Sequence, residues 1–258
     1  MSLNATSLRV RLGRKPILDD VSISADPGQF TVIVGPNGSG KTTLMRALTG
    51  ELPYEGSITL SGHEIAALAP DQLAGQRGVL PQATSLAFPF TVAEVIRIGC
   101  ETSGAKAQDL IPLALSAVGL PGFSGRFYQE LSGGEQQRVQ LARVLAQVWQ
   151  PVGKAGPRWL FLDEPVSSLD IAHQLGIMRL AADYARRGGG VLAVMHDLNL
   201  TALFAQKVIL MHQGQVVAQG APDAVFTDRL LSYAYDCSLR VNAFPPRGIW
   251  ILPQAAGL

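Results

Sequence analysis

Cysteine is scarce: Cys100 and Cys237 are the two in 258 residues. They lie far apart in sequence and fit no metal-ligand spacing. That excludes a disulfide framework and a zinc site, and predicts two buried, reduced thiols in the cytosol. Charge of one sign is not in excess. Lys and Arg number 21 against 20 Asp and Glu, for a formal net charge of +1. No block of like charge and no low-complexity tail is present, so the chain lacks the basic face of a nucleic-acid binder. No run of about 18 apolar residues occurs, so nothing is predicted to span a bilayer. The opening MSLNATSLRVRLGRK has no apolar h-region and does not read as a secretory signal. What the chain does have is 47% apolar residues, ample for one large core or a core with a smaller lobe.

Short β-like runs open the chain: LRVRL (8–12), VSISA (21–25) and SITLSG (57–62). They predict a small antiparallel sheet with turns at residues 26–28 and 55–56. Between them, FTVIVG (30–35) is too apolar for an edge and reads as a buried parallel strand. It feeds a glycine loop and a helix that stops at Gly50. Residues 84–154 are mostly helical in pattern, with Thr91 and Glu94 at capping-box spacing. After Pro157 the strand signal returns in WLFLD (159–163), GVLAVMHD (190–197) and KVILMH (207–212), and HQGQVVAQG (212–220) reads as a closing hairpin. The expected organisation is an α/β core of residues 1–83 and 155–258, interrupted by a helical lobe at 84–154.

Three motifs carry chemistry. Gly35-Pro36-Asn37-Gly38-Ser39-Gly40-Lys41-Thr42, followed by Thr43, fits G-x-x-x-x-G-K-[ST] between a buried strand and a helix. Glycines let consecutive backbone N–H groups converge on a phosphate, and the helix N-terminus adds its positive end. Lys41 is expected to reach the β- and γ-phosphates of ATP and the Thr42 hydroxyl to ligate Mg²⁺. In WLFLDEP (159–165) an apolar strand ends in two carboxylates. Asp163 is expected to hold Mg²⁺, and Glu164 to polarise the attacking water.

The third motif poses a problem. Ser132-Gly133-Gly134-Glu135 starts an apolar helix as a capping box. Two successive glycines in a first helical turn cost about 1 kcal/mol each, and capping does not explain them. They suggest that an anion approaches the backbone closely. The glycine loop at 35–42 already supplies such a place. The simplest resolution is that the second site serves the nucleotide of another copy: two chains, head to tail in C2 symmetry, burying two ATP molecules.

With these motifs in this order and spacing, the sequence resembles the ATP-binding cassette (ABC) ATPases over roughly residues 3–230. The resemblance implies a P-loop NTPase (RecA-like) core with a parallel sheet, a small N-terminal antiparallel β subdomain and an inserted helical subdomain. It implies that Gln82 joins core to helical lobe and touches Mg²⁺ or the lytic water. It implies that Asp170, in Ser167-Ser168-Leu169-Asp170, organises the partner's site. It also implies that His196 contacts the γ-phosphate and that Ser132, Gly133, Gly134 and Glu135 bind nucleotide in trans. His63, His173 and His212 have no such context and are expected at the surface. One departure stands out: where family members often stack an aromatic ring on adenine, this chain has Leu12, with Arg11 beside it.

The cargo is read from weaker features. A single cassette with no membrane segment resembles a separate subunit that docks on a transmembrane permease. FPFTVAEVIRIG (88–99) resembles the segment of metal-chelate importers. The long link QVWQPVGKAGPR (147–158), the stretch from His196 to Pro222 and the tail SLRVNAFPPRGIWILPQ (238–254) most resemble ATPase subunits of bacterial haem importers. The implied partners are a permease dimer docking near Gln82 and the segment from Phe88 to Ile98, a second copy of the chain, and a periplasmic binding protein only indirectly. The implied location is peripheral, on the cytoplasmic face of the bacterial inner membrane. Siderophore or cobalamin import is the alternative. An exporter ATPase, a soluble ABC ATPase and a small-molecule kinase rank below it; the last would need an acceptor pocket.

Overall fold

A computed structural model describes residues 1–83, 86, 88–103, 106–244, 247–249 and 251–252. The chain opens with β1 (Leu3–Leu12) and β2 (Lys15–Ala25), then enters the buried strand β3 (Phe30–Val34). Helix α1 (Lys41–Leu48) follows and ends at Thr49–Gly50, with Gly50 in the left-handed region. Next come β4 (Glu55–Leu60), β5 (His63–Glu64), α2 (Pro70–Gln76) and β6 (Arg77–Leu80). Helices α3 (Val92–Ser103), α4 (Ala107–Ala117) and α5 (Gly133–Gln147) form the helical insert. The hairpin β7 (Val152–Gly153) and β8 (Gly156–Pro157) leads back to β9 (Trp159–Asp163). The chain then runs through α6 (Ile171–Arg186), β10 (Gly190–Val194), α7 (Leu198–Phe204), β11 (Lys207–His212) and β12 (Gln215–Gly220). It closes with α8 (Pro222–Val225) and α9 (Asp228–Tyr235).

Two main sheets result. The first is the predicted antiparallel one, in order β2-β1-β4-β5. The second has the order β12-β11-β3-β10-β9-β6, parallel from β11 to β6, with β12 antiparallel at the edge. The fully buried strands β3, β9 and β10 alternate between two cores, as period-2 side chains must. Val32, Val34, Leu160, Leu162, Val191 and Ala193 face the core shared with the helical insert and α6. Ile33, Trp159, Phe161, Leu192 and Val194 face the core shared with α1 and the antiparallel sheet. The central sheet is thus a partition, and its carboxyl edge is the place where loops from both sides can meet.

The capping box at α3 forms as read: Thr91 N–H and Oγ donate to Glu94 Oε2 at 2.8 and 2.7 Å. Several expectations need correction. Glu55 and Gly56 are not a turn but the first residues of β4. Gly56 lies against the carbonyls of Thr6 and Ser7, where a Cβ would be 2.5 and 2.7 Å from their oxygens. The irregular pairing of β1 with β4 therefore requires glycine there. Cys100 is buried as expected, but Cys237 is exposed, in the turn after Asp236 ends α9 in the left-handed conformation. His212 is partly buried at the end of β11, its ring 5.2 Å from that of Tyr233. Among the described residues, no helix is long and apolar enough to cross a membrane.

Candidate nucleotide site

Four loops leave the carboxyl ends of four neighbouring parallel strands. The glycine loop follows β3, His196 follows β10, Asp163 and Glu164 end β9, and Gln82 follows β6. Ligands in open α/β sheets bind at this edge. The strand registers fix the spacing, with Val194 beside both Ile33 and Asp163, and Leu80 beside Leu162.

In the glycine loop, Gly35 has φ +151° and presses on the Met211 carbonyl, so a Cβ there would collide with backbone. Lys41 is 5% exposed, and its Nζ donates to the carbonyls of Gly35 and Pro36, both at 2.9 Å. Burial pushes its pKa down, against the pull of the Glu164 and Asp163 carboxylates. Helix α1 starts at Gly40 with no side-chain cap, so its first-turn N–H groups face outward for an anion. The Ser39 carbonyl accepts from Gly214 N–H at 3.0 Å, which ties the loop to the β11–β12 turn.

Thr42, Gln82 and Asp163 line one cleft of about 290 Å³. Asp163 is 4% exposed, and its Oδ1 has no protein hydrogen-bond partner. Burial, then the charge of Glu164, push its pKa up to about 6, against a hydrogen bond from Thr42. An orphaned, buried carboxylate oxygen beside a hydroxyl and an amide oxygen is a hard-oxygen set, and it fits Mg²⁺.

Glu164 sits in the left-handed region at φ +52°, a conformation that persists only when its surroundings hold it. Its N–H donates to the Val194 carbonyl at 3.1 Å. Its carbonyl accepts from Gln137 Nε2 at 3.0 Å and from Ser167 Oγ at 3.3 Å. Its Oε1 lies 2.6 Å from His196 Nε2. A carboxylate just past the end of a buried strand, with a histidine on it, can accept a proton from water at the strand edge.

Helix α5 begins with the predicted reciprocal cap. Ser132 N–H and Oγ donate to Glu135 Oε2 at 2.8 and 2.7 Å, and Glu135 N–H reaches Ser132 Oγ at 3.4 Å. The two glycines differ. A Cβ on Gly134 would lie 3.1 Å from Leu169 Cδ2 and 3.2 Å from the Ser168 carbonyl, so the chain's own packing explains it. A Cβ on Gly133 would meet nothing. Gly133 and Gln82 line a second small cavity with Gln136, Gln137 and Ser168.

Residues 18–167 match the family described as ABC transporter. The hemin import ATP-binding protein HmuV of Jannaschia sp. (strain CCS1) is 57% identical over 256 residues, spanning 98% of this chain and 95% of that one. The protein of the same name from Roseobacter denitrificans (strain ATCC 33942 / OCh 114) is 56% identical over 259 residues, spanning 99% of each. A solved ATP-binding cassette of an ABC transporter, MJ1267 in its ADP conformation, superposes with a TM-score of 0.77 at 24% identity, over 92% of this chain and 99% of that one. The chain belongs to the ABC transporter family.

The fold is that of the family's ATPases, with a mixed, mostly parallel core sheet, an N-terminal antiparallel subdomain and a helical insert. Other candidates of this cassette fall outside the strand-edge cluster. Leu12 is 47% exposed at the hairpin end of β1. Asp170 caps α6, accepting from His173 N–H at 2.9 Å, with His173 Nδ1 at 2.8 Å. These bonds hold its carboxyl below the usual range. His173, expected as a plain surface residue, is therefore engaged with Asp170. Sequence reasoning missed Gln137, which reaches from α5 to the Glu164 carbonyl. Its only local signal is a glutamine one turn before Leu141 and two turns before Val144, on a face of α5 that is buried.

Proposed function

We propose that this chain is the ATP-hydrolysing subunit of a bacterial haem importer. Two copies close head to tail on two ATP molecules while docked on a permease dimer at the cytoplasmic face of the inner membrane. The cargo rests on one observation: the likeness to hemin import ATP-binding proteins runs nearly end to end, through the link at 147–158 and most of the tail. The permease would seat near Gln82 and between Phe88 and Ile98. Both of those apolar residues are exposed, at 68% and 48%.

Within each site, the α1 N-terminus and the 35–43 loop would hold the phosphates. Lys41 would turn from the two loop carbonyls toward the β- and γ-phosphates. Thr42, Asp163 and Gln82 would hold Mg²⁺, which, when bound, supplies positive charge against the phosphate oxygens. Glu164 would orient the water and accept its proton, and His196 would hold Glu164 and meet the γ-phosphate. Ser132 and Gly133 of each copy would approach the partner's γ-phosphate, with Glu135 and Asp170 nearby. Leu12 would lean on the base. Closure driven by ATP and release on hydrolysis supply the work.

The test is to tag the chain, extract native membranes gently in detergent, and identify what co-purifies. The ATPase rate is then measured with haem offered through the periplasmic side. A many-helix membrane partner and haem-stimulated hydrolysis are expected. A membrane partner with no haem response would move the cargo to siderophores or cobalamin. A chain found only in the soluble fraction would contradict the importer reading.

A further inference from the structure

The Glu164 peptide unit is held from two separate parts of the molecule. Val194 of β10 accepts its N–H, and Ser167 of its own turn donates to its carbonyl. Both belong to the core. The remaining donor, Gln137 Nε2 at 3.0 Å, comes from α5 of the helical insert. The direction of that amide is set by its partner. A carbonyl can only accept, so the NH₂ faces Glu164, and Oε1 is left buried without a hydrogen bond. Helix α5 is the helix that Ser132 caps, and its Gly134 packs on Ser168 and Leu169 of the loop after Glu164. Any displacement of the Ser132–Gly134 turn is carried along one rigid helix to the carbonyl of a glutamate in a conformation that needs holding.

We propose that Gln137 is a positioning residue for Glu164, and that it couples the two nucleotide sites. Engagement of Ser132 and Gly133 by the partner's nucleotide sets, through Gln137, the aim of the Glu164 carboxylate in the same chain. This rests on the proposed function, because it takes Glu164 as the group that orients water.

The test is Mg-ATP hydrolysis by the full chain carrying Gln137→Met or Gln137→Glu. Methionine keeps the volume and loses the donor. Glutamate keeps the shape and turns an oxygen toward the carbonyl. Both variants are expected to melt near the wild-type temperature and to keep KM for Mg-ATP within about two-fold, while kcat falls about ten-fold or more. In a Glu164→Gln background, Gln137→Met should lower the residual rate no further, since the two residues act as one unit. If both variants keep kcat within about two-fold of wild type, or if their losses add in the Glu164→Gln background, the proposal is overturned. Should one variant fail to fold, the other decides. An active Glu164→Gln enzyme would overturn the catalytic assignment itself, whereas an inactive Glu164→Gln with unimpaired Gln137 variants would overturn this inference alone.

Discussion

His196 Nε2 and Glu164 Oε1 lie 2.6 Å apart, across the carboxyl ends of two adjacent parallel strands. The Glu164 side chain is 14% exposed and that of His196 44%, so the histidine forms the solvent side of the pair. Replacing it frees the carboxylate to swing. His196→Ala should therefore lower kcat by about 10²–10⁴-fold, with a much smaller change in the KM for Mg-ATP. Steady-state kinetics on the purified chain measure both. A loss confined to KM would make His196 a simple ligand contact.

Asp163 gives a pH signature. Its carboxyl is raised from 3.8 to about 6 in the folded chain. Between those values the folded state holds the proton more tightly than the unfolded chain, so stability from this group falls as pH rises through that window. Above it, the ligand-free protein carries a buried carboxylate charge with one of its oxygens unpartnered. Asp163→Asn removes that charge and should raise Tm by several degrees at about pH 7.5 in chelator, with the advantage shrinking toward about pH 4.5. Thermal melts at the two pH values test it, and a wild type that melts higher at the upper pH contradicts it.

The glycines of the α5 turn should separate. Gly134→Ala places a Cβ tightly against Leu169 and Ser168, so the helix gain of about 1 kcal/mol should be offset and the variant should be no more stable than wild type. Gly133→Ala meets open space and should fold as well as wild type, or better by up to about 1 kcal/mol from helix propensity. Its hydrolysis should nonetheless fall, because in the proposed shared site the partner's phosphate would occupy that space. Paired denaturation and ATPase measurements check both. Full activity in Gly133→Ala would contradict the close approach.

Leu12 stands exposed at the hairpin end of β1, where the proposed function has it lean on the base. Leu12→Tyr should tighten ATP binding by about 0.5–1.5 kcal/mol, read by titration with ATP and GTP. An unchanged preference between the two would place Leu12 away from the base.

Much of this was legible because the decisive signals are local. A loop such as residues 35–42 carries its own backbone demands, and WLFLD declares a buried strand by its apolar run. The alternation of Val32, Ile33 and Val34 between two cores follows from strand period alone. What stayed hidden depends on contacts distant in sequence. Gly56 is fixed by the approach of Thr6 and Ser7, not by a turn of its own. Gln137 acquires its partner 27 residues away, on another subdomain. The left-handed Glu164 looks from its neighbours like an ordinary strand end. The partly buried His212 and the exposed Cys237 depend on how α9 packs and ends, which the tail sequence does not announce.

Whether two copies share their nucleotides is tested most directly by the mass of Glu164→Gln in saturating Mg-ATP. This variant keeps the glycine loop at 35–43 and loses the carboxylate proposed to orient water, so ATP should hold the closed pair without being cleaved. Light scattering should then show a dimer that reverts to the lower mass when ATP is replaced by ADP. A chain that binds Mg-ATP at full stoichiometry and stays monomeric would contradict the shared site.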